Sequence, residues 1–224
     1  MNTSSDETMF YRKTFIGRVI PDESRKDANL PIRVTKTGYC FAKTLDLLCE
    51  KARDDKFDPI TVPSKNWEVW VAVKDGRTCT DCLMKDGTVC AISEEPQHHL
   101  NCRCWRKPVK ATKAGGATKD GKNGADWWLK NIGKLPEYYE TMERFKEEGW
   151  SNGESPSKYL SGKMLTRGIY GNDNGVLPQK PGRIWYEADI NYYFGKRNSH
   201  RIVWSNDGLM FATYDHYKTF IEIT

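Results

Sequence analysis

Four side chains in the second half of this sequence have the right types to move protons around a phosphate. Glu187 lies in "IWYEADI", Arg197 and Arg201 stand four residues apart after it, and His216 lies in "YDHYKTF". A carboxylate can take a proton, and histidine is the side chain whose proton moves near neutral pH. Arginine's planar fork grips two phosphate oxygens at once, and fixed cations stabilise a phosphorane-like transition state. Set together, these are the parts for cutting RNA without a metal. A base takes the proton of the ribose 2′-hydroxyl, that oxygen attacks the adjacent phosphorus, and an acid protonates the departing 5′-oxygen. DNA lacks the hydroxyl and cannot react this way. Taken singly, each residue has a plainer reading: Glu187 as part of a solvated strand face, His216 as a surface loop residue.

A second group suits a metal. Cys79 and Cys82 form a Cys-x2-Cys pair, and "HHLNCRC" follows at residues 98–104. Thiolates and imidazoles at such spacing suit tetrahedral zinc. The candidate ligands are Cys79, Cys82 and Cys102, with His99 or Cys104 as the fourth. The plainer reading is a set of reduced, half-buried thiols. Seven cysteines, with none after Cys104, argue against a disulfide framework along the whole chain.

The elements that must position these residues follow from pattern. "WEVWVAV", residues 67–73, reads as a strand, and residues 41–49 place Phe41, Leu45, Leu48 and Cys49 on one helical face. Asp126 is placed to cap a helix that Gly133 ends and Pro136 stops, and a second helix is expected over residues 138–150, closed by Gly149. From Gly182 the pattern turns to strands: "RIWYEADI", "HRIVW", "GLMFATY" and "TFIEI", with "SNDG" at 205–208 as a hairpin turn. Period two puts Ile184, Tyr186, Ala188 and Ile190 on the core face and leaves Trp185, Glu187 and Asp189 open. Helices first and strands later indicate an α+β domain with an antiparallel sheet.

Between the two groups lies "VKATKAGGATKDGKNG", residues 109–124. It has no large apolar residue after Val109, so it reads as a flexible linker. The expected organisation is a smaller, mixed, Cys-rich domain over 1–108, the linker, and an α+β domain over 125–224. The net charge of +5 is compatible with a polyanionic partner. No apolar run is long enough to span a bilayer, and the first residues lack an apolar signal core.

Two stretches resemble known families. "WEVWVAVKDGRTCTDC" with "PQHHLNCRCW", roughly residues 60–107, resembles the end of phage minor head (head morphogenesis) proteins, which implies a structural or delivery role. "GKLPEYY", "NDNGVLP", "PGRIWYEADINYYFGKRNSHRI", "SNDGLMF" and "DHYKTFIEI" resemble barnase and the related bacterial secreted ribonucleases, over about 125–224. That second resemblance implies N-terminal helices packed on a twisted antiparallel sheet. It implies a toxin-like endoribonuclease that needs no catalytic cofactor and leaves a 2′,3′-cyclic phosphate. By resemblance Glu187 is the general base, His216 the general acid, and Arg197 and Arg201 bind phosphate. Tyr217 lines the site, and Asn172, Asp173 and Asn174 fall in the guanine-binding loop. An acidic inhibitor resembling barstar and an extracellular or delivered destination are implied too.

Three positions depart from the pattern. Met142 stands where a site lysine is expected, Asp173 where the loop has arginine, and Asn174 where it has the glutamate that accepts from guanine. These changes leave a competing expectation: a structural or RNA-binding virion component, in the phage particle or cytoplasm, whose ribonuclease domain is inactive.

Overall fold

The computed structural model describes residues 10–12, 39–41, 57–96 and 98–224. The helix expected over 41–49 lies, past Phe41, outside these residues. Strands β1 (Phe10–Arg12) and β2 (Tyr39–Phe41) pair antiparallel. Next come β3 (Val62–Val71), α1 (Thr80–Lys85), β4 (Val89–Ala91) and β5 (Trp105–Thr112). Helix α2 (Ala125–Ile132), β6 (Tyr139–Thr141) and α3 (Met142–Glu147) follow. The chain ends in β7 (Met164–Tyr170), β8 (Trp185–Asp189), β9 (Arg201–Ser205), β10 (Met210–Thr213) and β11 (Ile221–Ile223).

The fold is mainly sheet. Nine strands form one mixed sheet in the order β4-β3-β5-β11-β10-β9-β8-β7-β6. Its pairs are antiparallel except β5 with β11 and β6 with β7. β3, β4 and β5 of the Cys-rich part extend the sheet that β11 would otherwise end, while Trp70, Ala72, Cys82 and Cys104 form a buried cluster of their own.

The segment 109–124 is corrected by the same observation. Its first residues lie in β5, where Lys110, Ala111 and Thr112 pair with Ile221, Glu222 and Ile223. Further on, Ala117, Thr118 and Asp120 are buried. Gly115 N and Ala117 N donate to Asp126 Oδ2 at 2.7 and 2.8 Å, and Thr118 Oγ1 donates to Oδ1 at 2.9 Å. Small side chains and satisfied amides let a segment without large apolar residues sit inside. Asp126 is thus the anchor of this loop rather than a cap; the cap position of α2 is Gly124. Burial pushes the Asp126 carboxyl up, although these donors oppose the rise.

Gly133 does end α2, in the left-handed conformation at φ +78°. The helix expected over 138–150 is shorter. Residues 139–141 pair with β7 as a strand, and Thr141 then caps α3 by accepting from Arg144 N at 3.2 Å. Tertiary pairing wins over helix propensity there. The hairpin at Ser205–Gly208 joins β9 to β10 as expected, with Gly208 at φ +91°.

The sheet is covered on both faces. On one, Ala188, Ile202, Ala212 and Ile223 pack with Ala125 and Leu129 of α2. On the other, Trp185, Val203 and Phe211 pack with Leu177, Phe220, Val109 and Val89. Each large apolar side chain so enclosed contributes about 1.5–3 kcal/mol. This overturns the expected division of β8: Trp185 and Asp189 are buried and Ile184 is exposed. Loops 171–184 and 214–220 supply the second cover, which period two alone cannot reveal.

Candidate active site

Glu187 sits in the middle of β8, opposite Val203 of β9 and Gly168 of β7. It is buried, on the face carrying Trp185, Val203 and Phe211. Tyr217 Oη donates to Glu187 Oε2. Arg167 Nε lies 3.5 Å from Glu187 Oε1. Burial, and then that bond to the carboxylate, hold the Tyr217 hydroxyl protonated well beyond the usual tyrosine range.

His216 is exposed and precedes Tyr217, so the bond from Tyr217 brings the histidine loop to the Glu187 face. Both residues take the left-handed conformation, at φ +59° and +67°. Such conformations cost non-glycine residues about 1–3 kcal/mol and persist only where the surroundings enforce them. Asp215 does so: its Oδ1 accepts from Thr213 Oγ1, Lys218 N and Thr219 N at 2.9, 3.1 and 2.9 Å. Tyr217 N donates to Thr213 Oγ1 at 2.9 Å, and His216 N to Ser199 O at 3.2 Å.

The last bond ties the histidine loop to the arginines. Arg197 donates to Asp189 Oδ2 from Nε at 2.7 Å and to Oδ1 from Nη2 at 2.6 Å. Burial works against the Arg197 charge, but Asp189 outweighs it and the guanidinium is held charged. Arg201 Nε lies 3.1 Å from Asp189 Oδ1 as an ion pair, off the line of a hydrogen bond. Its Nη1 donates to the carbonyls of Asn198 and His200 at 2.9 and 2.7 Å. Two guanidiniums are thus fixed beside Glu187 by one buried carboxylate.

The loop 171–177 flanks the end of β7. Asn172 takes φ +48°, a region asparagine tolerates. Its side chain is buried and closed on the loop: Nδ2 donates to Leu177 O at 2.8 Å and Oδ1 accepts from Leu177 N at 3.0 Å. Asp173 and Asn174 are exposed. Val176 O accepts from Val89 N at 2.7 Å, so β4 holds this loop from behind. Tyr170 and Tyr217 stack beside it with centroids 5.2 Å apart. Burial, then the charges of Glu187 and Asp173, push the Tyr170 hydroxyl up to about 12.

A ribonuclease family model matches residues 110–224. The chain belongs to this ribonuclease family. It is 39% identical over 103 residues to the ribonuclease of Heyndrickxia coagulans, covering 45% of this chain and 94% of that protein. It is equally similar over 103 residues to the ribonucleases of Bacillus intermedius and Bacillus pumilus. There the match covers 63% of each relative, so the chain spans under two thirds of their length. The matched region of this ribonuclease includes residues 110–124, nearly all of the segment whose composition predicts a linker.

The fold joins Glu187 to Tyr217 by a hydrogen bond, sets the His216 ring against the Tyr217 ring with centroids 4.9 Å apart, and fixes Arg197 and Arg201 on Asp189, two residues along β8 from Glu187. Asn172 shapes its loop, and Asp173 and Asn174 are left at the surface. Sequence reasoning missed Asp189 as the arginine anchor, Asp215 as the loop clamp, Tyr170 as a stacking partner, and Arg167. The period-two reading had placed Asp189 on an open face beside Glu187, which was the one available signal.

The cysteine cluster also assembles. Cys79 Sγ and Cys82 Sγ each lie 3.2 Å from His99 Nε2, and Cys82 Sγ lies 3.6 Å from Cys102 Sγ. Cys82, Cys102 and Cys104 form an overlapping group. The Cys82 amide donates to Cys79 Sγ at 3.4 Å from the first turn of α1. His99 Nδ1 lies 2.9 Å from Leu100 O, which turns Nε2 toward the thiols. This cluster could bind a metal.

Proposed function

We propose that this endoribonuclease cuts single-stranded RNA by 2′-hydroxyl attack, with Glu187 as general base and His216 as general acid. Glu187 removes the 2′-hydroxyl proton, the 2′-oxygen bonds to phosphorus, and the bond to the 5′-oxygen breaks. His216 gives its proton to that oxygen. The products are a 2′,3′-cyclic phosphate and a free 5′-hydroxyl. Arg197 and Arg201 stabilise the charge on the phosphorane. They are held by Asp189 before substrate arrives, so little reorganisation is needed. The observation that carries this reading is the Tyr217–Glu187 hydrogen bond, which draws the His216 loop to the carboxylate beside the two arginines.

Tyr170 and Tyr217 offer a stacked platform for a base, and residues 172–174 lie at its edge as the base-contacting loop. The decisive experiment is cleavage of a single-stranded RNA in the presence of chelator, with the ends mapped. Cyclic phosphate ends, a bell-shaped pH profile and loss of cutting in Glu187→Gln and His216→Ala are expected. Salt-sensitive RNA binding by a chain that never cuts would overturn the reading.

The cationic site suits an acidic protein inhibitor, and delivery to a target cell would make such a partner necessary to the producer. Harmless expression of the active chain without any partner would count against it.

The cysteine cluster supports a second, structural reading: one Zn²⁺ held by Cys79, Cys82, His99 and Cys102. Zinc–sulfur bonds of about 2.3 Å set tetrahedral donors about 3.8 Å apart, close to the Cys82–Cys102 spacing. Metal analysis of the full chain should give one zinc, lost in Cys102→Ser but kept in Cys104→Ser. A folded, metal-free chain would sink this assignment.

A further inference from the structure

The edge of the site opposite Arg197 and Arg201 is formed by β7. That strand meets β8 with a bulge: Thr166 faces Ala188 while Gly168 faces Glu187, so Arg167 is the extra residue. Gly168 takes φ +76°, a conformation that side chains resist, so the sequence supplies what the bulge needs. A bulge re-aims its extra side chain and is common beside active sites. Here the guanidinium of Arg167 points at the carboxylate of Glu187, 3.5 Å away.

The other two arginines are committed to Asp189. Arg167 is not: its side chain is 40% exposed, and among the described residues its ion pair is with Glu187. Its fork therefore faces both the proton acceptor and the solvent from which a phosphate arrives. The neighbouring position is informative. Thr141, the last residue of β6, faces Thr166 of β7 in parallel register, and Met142 follows it as the first residue of α3. Met142 carries no charge and packs with Phe145, Trp150 and Leu165.

We propose that Arg167 is a catalytic residue that binds a non-bridging oxygen of the scissile phosphate. It supplies a cation from β7, where nearby Met142, packed against Leu165 of the same strand, is uncharged. When RNA binds, the guanidinium bridges Glu187 and the phosphate, holding the 2′-hydroxyl's acceptor and the developing charge in one geometry. This rests on the ribonuclease reading above.

The test is steady-state cleavage of a dinucleotide by the full chain, with thermal melting measured alongside. Arg167→Ala should lower kcat/KM roughly 10–100-fold, mainly in kcat, as expected for loss of one transition-state donor. Its melting temperature should stay near the parent's, because the side chain is half-exposed. Arg167→Lys should fall between. Adding Met142→Lys to Arg167→Ala should recover at least several-fold, since it places a cation at the start of α3, near β7. An Arg167→Ala chain within about two-fold of the parent would overturn the proposal, as would an activity loss matched by a melting loss with no rescue from Met142→Lys. A parent chain that cuts no RNA would instead sink the functional reading beneath it.

Discussion

Asp189 grips Arg197 with both carboxylate oxygens, at 2.7 and 2.6 Å, while lying fully buried at the end of β8. The same carboxylate sits 3.1 Å from Arg201. One anion therefore balances two guanidiniums on the floor of the site. Asp189→Asn removes that balance and leaves two cations in a poorly solvated place. We expect it to cost about 3–5 kcal/mol of stability, measured by denaturant unfolding. Cleavage at a temperature where the variant stays folded should fall as well, because the arginines lose their fixed aim.

The Asp215 clamp gives the His216 loop a pH dependence. Burial pushes the Asp215 carboxyl up, but the Thr219 and Thr213 donors and the Lys218 amide together leave it below the usual aspartate value. A lowered carboxyl contributes stability above its unfolded pKa, near 4, and loses it as pH falls through the folded value. Amide hydrogen exchange over 214–219 should therefore rise below about pH 4. In Asp215→Asn the loop should exchange faster at neutral pH and lose that acid-dependent step.

Base preference should follow position 174. Asn174 is exposed, and its Oδ1 accepts from Val176 N at 3.3 Å. An amide offers one acceptor atom, whereas a carboxylate can take two N–H groups of guanine. Asn174→Glu should raise the ratio of kcat/KM for guanine over adenine dinucleotides by roughly ten-fold, within the 1–3 kcal/mol of a good bidentate pair. An unchanged ratio would remove loop 171–177 from base reading.

The boundary of the catalytic unit is testable by truncation. A fragment beginning at Ala125 lacks the β5 edge for β11 and the residues that bond Asp126. It should fail to unfold cooperatively. A fragment beginning at Trp105 keeps both and should fold and cut RNA. Within the full chain, Asp126→Ala should cost about 2–4 kcal/mol, because the buried Ala117 amide, the part-buried Gly115 amide and the Thr118 hydroxyl lose their acceptor.

Much of the site was legible because its chemistry depends on residue type. Glu187, Arg197, Arg201 and His216 stood out as candidates because their side-chain types suit proton transfer and phosphate binding, although singly Glu187 and His216 also had plainer readings. Gly133 and Gly208 were equally legible, since their turns require φ values that few other residues accept. Arg167 was not, because its aim depends on a one-residue bulge that leaves no mark in period two. Trp185 was misplaced because a strand covered on both sides has no open face, and the second cover is loop rather than patterned element. The segment 109–124 looked like solvent-borne chain by composition. Its burial depends on one distant carboxylate, Asp126, and on pairing with residues at the far end of the sequence.

Val89 N donates to Val176 O across the gap between the Cys-rich stretch and the loop beside Glu187. The upstream stretch is therefore not an interchangeable cassette. Any other sequence joined ahead of residue 105 must bring its own donor for Val176 and its own cover for Leu177, or accept a slacker loop 171–177.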